Sequence, residues 1–207
     1  MVRQSIVDAL RAELSESGEA LNSHVAQVTS LDNRVKYFRS KLPTTFEHIN
    51  TTKVTDRTRV VKDRWGVAHC YGETLFDLFF AAGVAQAQDR LWQLDYRRRF
   101  AHGNLSEIMG SQAIKTDVAH RILGFSRAVK TEATRISQEA DEALTGFAAG
   151  VNTWIEHVID RLPFEFDVLD YEPSPWRAED SLVILRHFWW TLTGRLDQII
   201  AAERVLR

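Results

Sequence analysis

The sequence predicts a mainly α-helical chain with two short β-strands that join a sheet supplied by a partner chain. Three observations carry this expectation. Two long segments, residues 75–101 and 131–159, repeat apolar residues at helical spacing. Strand-favouring residues concentrate in RVVKDRWGVAHCYG at 59–72. Two isolated strands cannot satisfy their own edges. Composition sets the outer bounds. With 207 residues, 44% hydrophobic and 26% charged, the chain is globular and long enough to bury a core. A formal net charge of -2 gives no broad attraction for nucleic acid or anionic lipid. The single cysteine, Cys70, rules out an internal disulfide and is too few for a zinc finger. No run of about 18 apolar residues predicts a membrane span. The charged opening MVRQSIVDALRAELSES lacks the pattern of a secretory signal, so a cytoplasmic location is expected.

The elements follow in order. Ile6, Ala9, Leu10, Leu14 and Leu21 suggest a peripheral helix over 4–28, interrupted by Ser15, Ser17 and Gly18. Residues 29–56 show little period and read as a connector, so 1–56 form an extension ahead of a helical domain at 57–207. Strands are expected at about 58–62 and 67–71, around a turn at Asp63, Arg64 and Gly66. Thr74, with Asp77 three residues on, reads as the N-cap of a long helix ending at Gly103. Its apolar residues lie on more than one face, so it is expected to be buried on two sides. A helical turn follows at Leu105–Met109, then a helix over 112–128. The next helix runs from Thr131 to about Ile159, and Gly146 and Gly150 on its apolar stripe imply close approach of a neighbouring backbone. Pro163, Pro173 and Pro175 mark a loop. A helix then starts after Trp176, with Glu179 and Asp180 in its first turn, and a last one covers 196–207.

Catalytic signals are sparse. Seven histidines and several serines would allow a Ser-His-Asp set, but no G-x-S-x-G elbow or spacing organises one. His69, His102, His120, His157 and His187 lack metal-ligand spacing, and no glycine-rich phosphate loop is present. Cys70 has no basic neighbour to activate it and reads as a buried, inert thiol. Arg90, Arg97, Arg98 and Arg99 share a helix with Asp89 and Asp95, which favours ion pairs over a nucleic-acid surface. The aromatic run Phe188, Trp189 and Trp190 admits two readings, core packing or the wall of a hydrophobic ligand pocket.

These residues also carry a resemblance. DRWGVAHCYGET at 63–74, AAGVAQAQDRLWQLDYRRR at 81–99, GNLSEIMG at 103–110, GFAAGVNTWI at 146–155 and LPFEFDVLDYEPSPWRAEDSL at 162–182 together resemble the opening of the penicillin acylase family. The match runs in order from about 57 to 200 and leaves residues 1–50 without a reading.

The resemblance implies an N-terminal-nucleophile amidohydrolase of four-layer αββα architecture. Such a precursor cleaves itself into a smaller α chain and a larger β chain. The nucleophile is the Ser that begins the β chain, and its own α-amino group is the base; a free amine titrates near neutrality and can accept the hydroxyl proton. This chain opens with Met1 and reads as the α chain. The resemblance therefore places no catalytic residue here, only a wall for the acyl group of a small acyl-amide substrate. Counting from Asp180, the family's apolar pocket position falls on Trp189 and its usual aromatic one, a turn later, on Thr193, with Phe188 and Trp190 alongside. Trp in place of a flexible Met, and Thr in place of an aromatic, imply a reshaped pocket. The chemistry requires no cofactor. A structural calcium of the family takes one carboxylate from this part of the chain. By the same count that position is Ile199, which has no oxygen, while Asp197 stands two residues away. The alternative reading is a non-catalytic helical scaffold that keeps the architecture.

Overall fold

A computed structural model describes residues 31–41, 49, 51–55, 57–193 and 203–205. The expected helix at 4–28 lies outside these residues, as does the one at 196–207 apart from 203–205, which are helical.

The first described element corrects the connector reading. Leu31–Ser40 is a helix, α1. Tertiary partners hold its end: the Tyr37 hydroxyl donates to Asp167 at 2.7 Å and Lys41 pairs with the same carboxylate at 2.6 Å. Weak local periodicity could not reveal anchors that lie 130 residues away in sequence. Strands β1 (Arg59–Lys62) and β2 (Ala68–Tyr71) form an antiparallel hairpin, with Val60 opposite Cys70 and Val61 opposite His69. The turn is local chemistry. Asp63 Oδ1 accepts the Trp65 and Val67 amides at 2.8 and 3.0 Å, and Gly66 takes φ of 80°, a region most side chains avoid. Lys62 ties the hairpin to the next helix through Asp89 at 2.6 Å. Cys70 is half-buried, and burial pushes its thiol up, away from the reactive thiolate.

Helix α2 spans Leu75–His102. It begins with the expected cap: the Thr74 hydroxyl accepts the Asp77 amide at 3.0 Å while Asp77 reaches back to the Thr74 amide. Asp77 also accepts the Thr55 hydroxyl at 3.1 Å, which fastens the preceding segment. Thr74→Ala is expected to lower stability by about 1 kcal/mol in chemical denaturation, the usual loss for an N-cap. The backbone of α2 leaves helical geometry at Arg90 (φ -143°, ψ 29°), and the helix ends on Gly103 in the left-handed region.

Helix α3 (Ser106–Met109) is the expected short turn. The single helix expected over 112–128 is instead two, α4 (Ile114–Leu123) and α5 (Phe125–Glu132), because Gly124 at φ 72° turns the chain between them. The long helix after them, α6, begins at Gln138 rather than Thr131 and runs to Val158. Ser137 caps it by accepting the Ala140 amide at 3.2 Å. A short helix, α7 (Phe164–Leu169), occupies part of the expected loop, and α8 spans Ala178–Thr193.

The frame of the molecule is the α2–α6 pair. A Cβ on Gly146 would lie 2.5 Å from the Phe76 carbonyl oxygen, and one on Gly150 only 2.1 Å from that of Phe80. From the other side, a Cβ on Gly83 would lie 2.3 Å from the Phe147 carbonyl oxygen. These three glycines let the two backbones touch, as the two on α6 predicted. Beside the contact, Ala87, Leu91, Val151, Trp154, Phe166 and Trp176 form the main core. A second core of Ala101, Phe125, Val129 and Val183 joins α2, α5 and α8.

Candidate functional site

Helix α8 has a fixed base and an open end. The base is Asp180, 1% exposed. Its carboxylate accepts the Arg177 amide at 2.9 Å and meets His102 Nε2 at 2.9 Å and Arg98 at 3.4 Å. Burial alone would raise this carboxyl, yet the hydrogen bonds from His102 and the Arg177 amide, with the charge of Arg98, hold it below the ordinary carboxylate range. Arg98 also pairs with Asp95 and donates to the Ser174 and Pro175 carbonyls at 3.0 Å each. Arg99 and Tyr171 complete the Asp95 shell at 2.8 and 3.0 Å. Trp176 exchanges two hydrogen bonds with Asn152 and donates its indole N–H to Ser181 at 3.0 Å. The PSPW loop is thus pinned to α2 and α6, and it aims α8. Arg98 and Arg99 are the ion-pair residues their spacing predicted.

One arrangement escaped the sequence. Ser126 Oγ lies 2.9 Å from His102 Nδ1, so Ser126, His102 and Asp180 do form a hydrogen-bonded chain. The partners stand 24 and 78 residues apart, and no motif announces them. Asp180 is already committed to Arg98 and Arg177, which makes this chain a strut tying α5, α2 and α8 together.

The open end carries the four residues proposed to line a pocket. Phe188, Trp189 and Trp190 are 42%, 59% and 38% exposed, and Thr193 is exposed too. Among the described residues, none of the four is a core residue. Arg97 lies over the Phe188 ring at 5.8 Å and Arg186 over Trp189 at 5.6 Å. Arg186 is itself held by Glu132 at 2.7 Å, and Trp190 leans on Phe125 at 6.4 Å. Leu185 and Leu192 extend the apolar surface, and Ile114, Val118 and Ile122 form a further exposed stripe on α4 that sequence reading passed over. Cavities of about 340 and 350 Å³ lie elsewhere, the first lined by Arg90, Trp92 and Trp154, the second by Asp167 and Tyr171. Among the described residues no cluster of three or more His, Cys, Asp or Glu could hold a metal. Ile199 and Asp197 lie outside those residues.

The family model described as penicillin amidase matches residues 57–207. The chain belongs to this family. Penicillin acylase 2 proenzyme of Pseudomonas sp. (strain SE83) is 34% identical over 128 residues, 62% of this chain and 16% of that protein. Penicillin G acylase of Escherichia coli is 31% identical over 67% of this chain and 16% of its own length. Acyl-homoserine lactone acylase QuiP of Pseudomonas aeruginosa is 30% identical over 62% of this chain and 15% of that protein. The solved thermostable penicillin G acylase from Alcaligenes faecalis superposes with a TM-score of 0.62 at 26% identity, covering 66% of this chain and 74% of that one. The chain thus spans about a sixth of the curated relatives it matches. As a penicillin amidase family member it presents the two ends of α8 differently, one buried in ion pairs and one bare. Among the described residues no helix is long and apolar enough to cross a membrane.

Proposed function

We propose that this chain is the α part of an amide-hydrolysing acylase, made with its β part as one precursor that cleaves itself into two chains. The observation that carries the reading is the bare aromatic end of α8 on a rigidly held base. The family, and a relative named as a proenzyme, support it. The β part contributes an N-terminal Ser, whose α-amino group takes the hydroxyl proton as Oγ attacks the acyl carbonyl. Its amide and side-chain donors hold the oxyanion. Phe188, Trp189, Trp190 and Thr193 of this chain face the acyl group and supply apolar contact, not proton transfer. The β1–β2 hairpin adds its free edges to the sheet of the β part in a four-layer αββα assembly. The chemistry needs no cofactor, and a structural calcium would have to draw its carboxylate on this side from Asp197, because Ile199 offers no oxygen.

The test is intact mass and N-terminal sequencing of what co-purifies with this chain, with a serine-directed inhibitor added. A partner that begins with Ser and takes the label is expected, and residues 1–207 alone should show no amidase turnover. A partner with another first residue and no precursor cleavage would favour the scaffold reading. Trp189→Ala provides a finer check. Because Trp189 is largely exposed, stability should change by less than about 1 kcal/mol. The kcat/KM ratio between two acyl chains should move by about tenfold or more. A large stability loss with an unchanged ratio would remove Trp189 from the pocket.

A further inference from the structure

Two histidine rings with no task in amide hydrolysis stack beneath the aromatic end of α8. His120 of α4 and His187 of α8 have ring centroids 5.3 Å apart and planes tilted by 33°. Phe100 of α2 closes the group, 4.4 Å from His120 and edge-on to His187 at 5.0 Å. Phe125 of α5 stands 6.1 and 6.2 Å from the two rings, and Phe188 meets His187 at 6.0 Å. His187 is buried. His120 Nδ1 lies 2.9 Å from the Thr116 carbonyl oxygen, which can only accept, so Nδ1 carries the proton. His187 Nε2 comes only within 3.5 Å of the Thr191 hydroxyl, which donates instead to the His187 carbonyl at 2.9 Å.

The charged groups acting on His187 come from outside its own helix. They are His120 on α4 and Arg97 on α2, both of which disfavour a second positive charge. Helix α5 meets it with Phe125, while Arg186 on α8 is turned to Glu132. Beside His120, Asp117 is taken by the Leu105 and Ser106 amides, and Arg121 by the Gly103 carbonyl. Burial first, then His120 and Arg97, pushes the His187 imidazole below its ordinary value. A proton on the buried His187 ring would therefore have no carboxylate to meet it.

We propose that the His120–His187 contact is an acid-sensitive latch: with His187 neutral, it packs α4 and α2 against α8; with His187 protonated, the rings part and the aromatic end of α8 shifts. The sign follows from linkage. The unfolded chain binds the His187 proton more readily than the folded one. Stability from the neutral His187 ring is therefore complete above about pH 6.5 and is lost as pH falls below it. Hydrogen bonds that outweigh burial hold the Asp77, Asp117 and Asp180 carboxyls below their ordinary value, so they titrate outside this window. The latch stands on packing alone; its effect on substrate rests on the acyl-wall reading of Trp189 and Trp190.

The experiment is a histidine Cε1 NMR titration of the assembled protein from about pH 8 to about pH 5, with tryptophan emission followed alongside. His187 is expected to titrate below about pH 6.5 together with a reversible emission shift. In His187→Phe, which keeps a ring but no titratable group, the shift should disappear. If that variant does not fold, the wild-type titration and His120→Gln, which keeps a donor toward Thr116, decide the matter. The latch is overturned if His187 titrates at or above the ordinary value, or if the emission shift survives unaltered in the variant. Measured turnover separates the two readings. An intact latch signature with no amidase activity at any pH sinks the acylase reading alone, and activity with a flat histidine response sinks the latch alone.

Discussion

Gly150→Ala is expected to lower stability by at least about 3 kcal/mol, and Gly150→Val to prevent accumulation of soluble protein. A methyl group at Gly150 would sit 2.1 Å from the Phe80 carbonyl oxygen and 3.0 Å from the Val84 amide nitrogen. Both are helix backbone, so neither can rotate aside. The only relief is separation of α2 and α6. That would open space beside Ala87, Leu91, Val151 and Trp154, the centre of the main core. Alanine's better helix propensity returns about 1 kcal/mol, too little to offset the loss of packing along two long helices. Gly66→Ala is the control. It also places a side chain at positive φ, but nothing lies within 4 Å of the added atom. Its loss should be only about 1–2 kcal/mol. Thermal and denaturant unfolding read both variants; an unchanged midpoint for Gly150→Ala would mean that the helices do not touch there.

Asp180→Ala carries the second large effect, a loss of about 3–5 kcal/mol and a fall in Tm of roughly 10 °C. The carboxylate is buried and receives His102, Arg98 and the Arg177 amide at once. Its removal leaves the Arg98 guanidinium with Asp95 and two carbonyls, takes the buried partner from His102, and unties the first turn of α8. Asp180→Asn, which keeps shape and hydrogen-bonding capacity, should lose less. The pH dependence has a definite sign. The Asp180 carboxyl is held below its ordinary value. Its contribution is thus present above the unfolded carboxylate's titration and disappears as pH falls through the lower folded value. Acid unfolding of the wild type should show this dependence below about pH 4, and Asp180→Ala should show less of it. An alanine variant with the wild-type Tm and acid profile would show that the network is decorative.

Much of the frame was legible in advance. Thr74, Asp77 and Gly103 marked the ends of α2 because caps act within one turn. Gly146 and Gly150 announced a close helix crossing because a missing side chain on an apolar stripe has few other uses. Boundaries set by tertiary partners were misread. Leu31–Ser40 reads as a connector in sequence because Asp167, which anchors it, is distant along the chain. The helix over 112–128 proved to be two because Gly124 serves both as the end of α4 and the start of α5. Of the candidate site, the aromatic run and its position on α8 were legible, whereas its exposure and the Ser126–His102–Asp180 strut were not.

By itself the sequence determined the helical class, the hairpin near residue 60, the caps and glycines that shape α2 and α6, and the motifs of the penicillin amidase family. These signals act over a few residues, or repeat with the period of a helix. Only the tertiary structure decided which end of α8 is locked and which is bare, and which histidines share a box. Those outcomes depend on side chains brought within hydrogen-bond or ring-contact distance from separate helices, and the order of residues along a chain does not encode the distance between them.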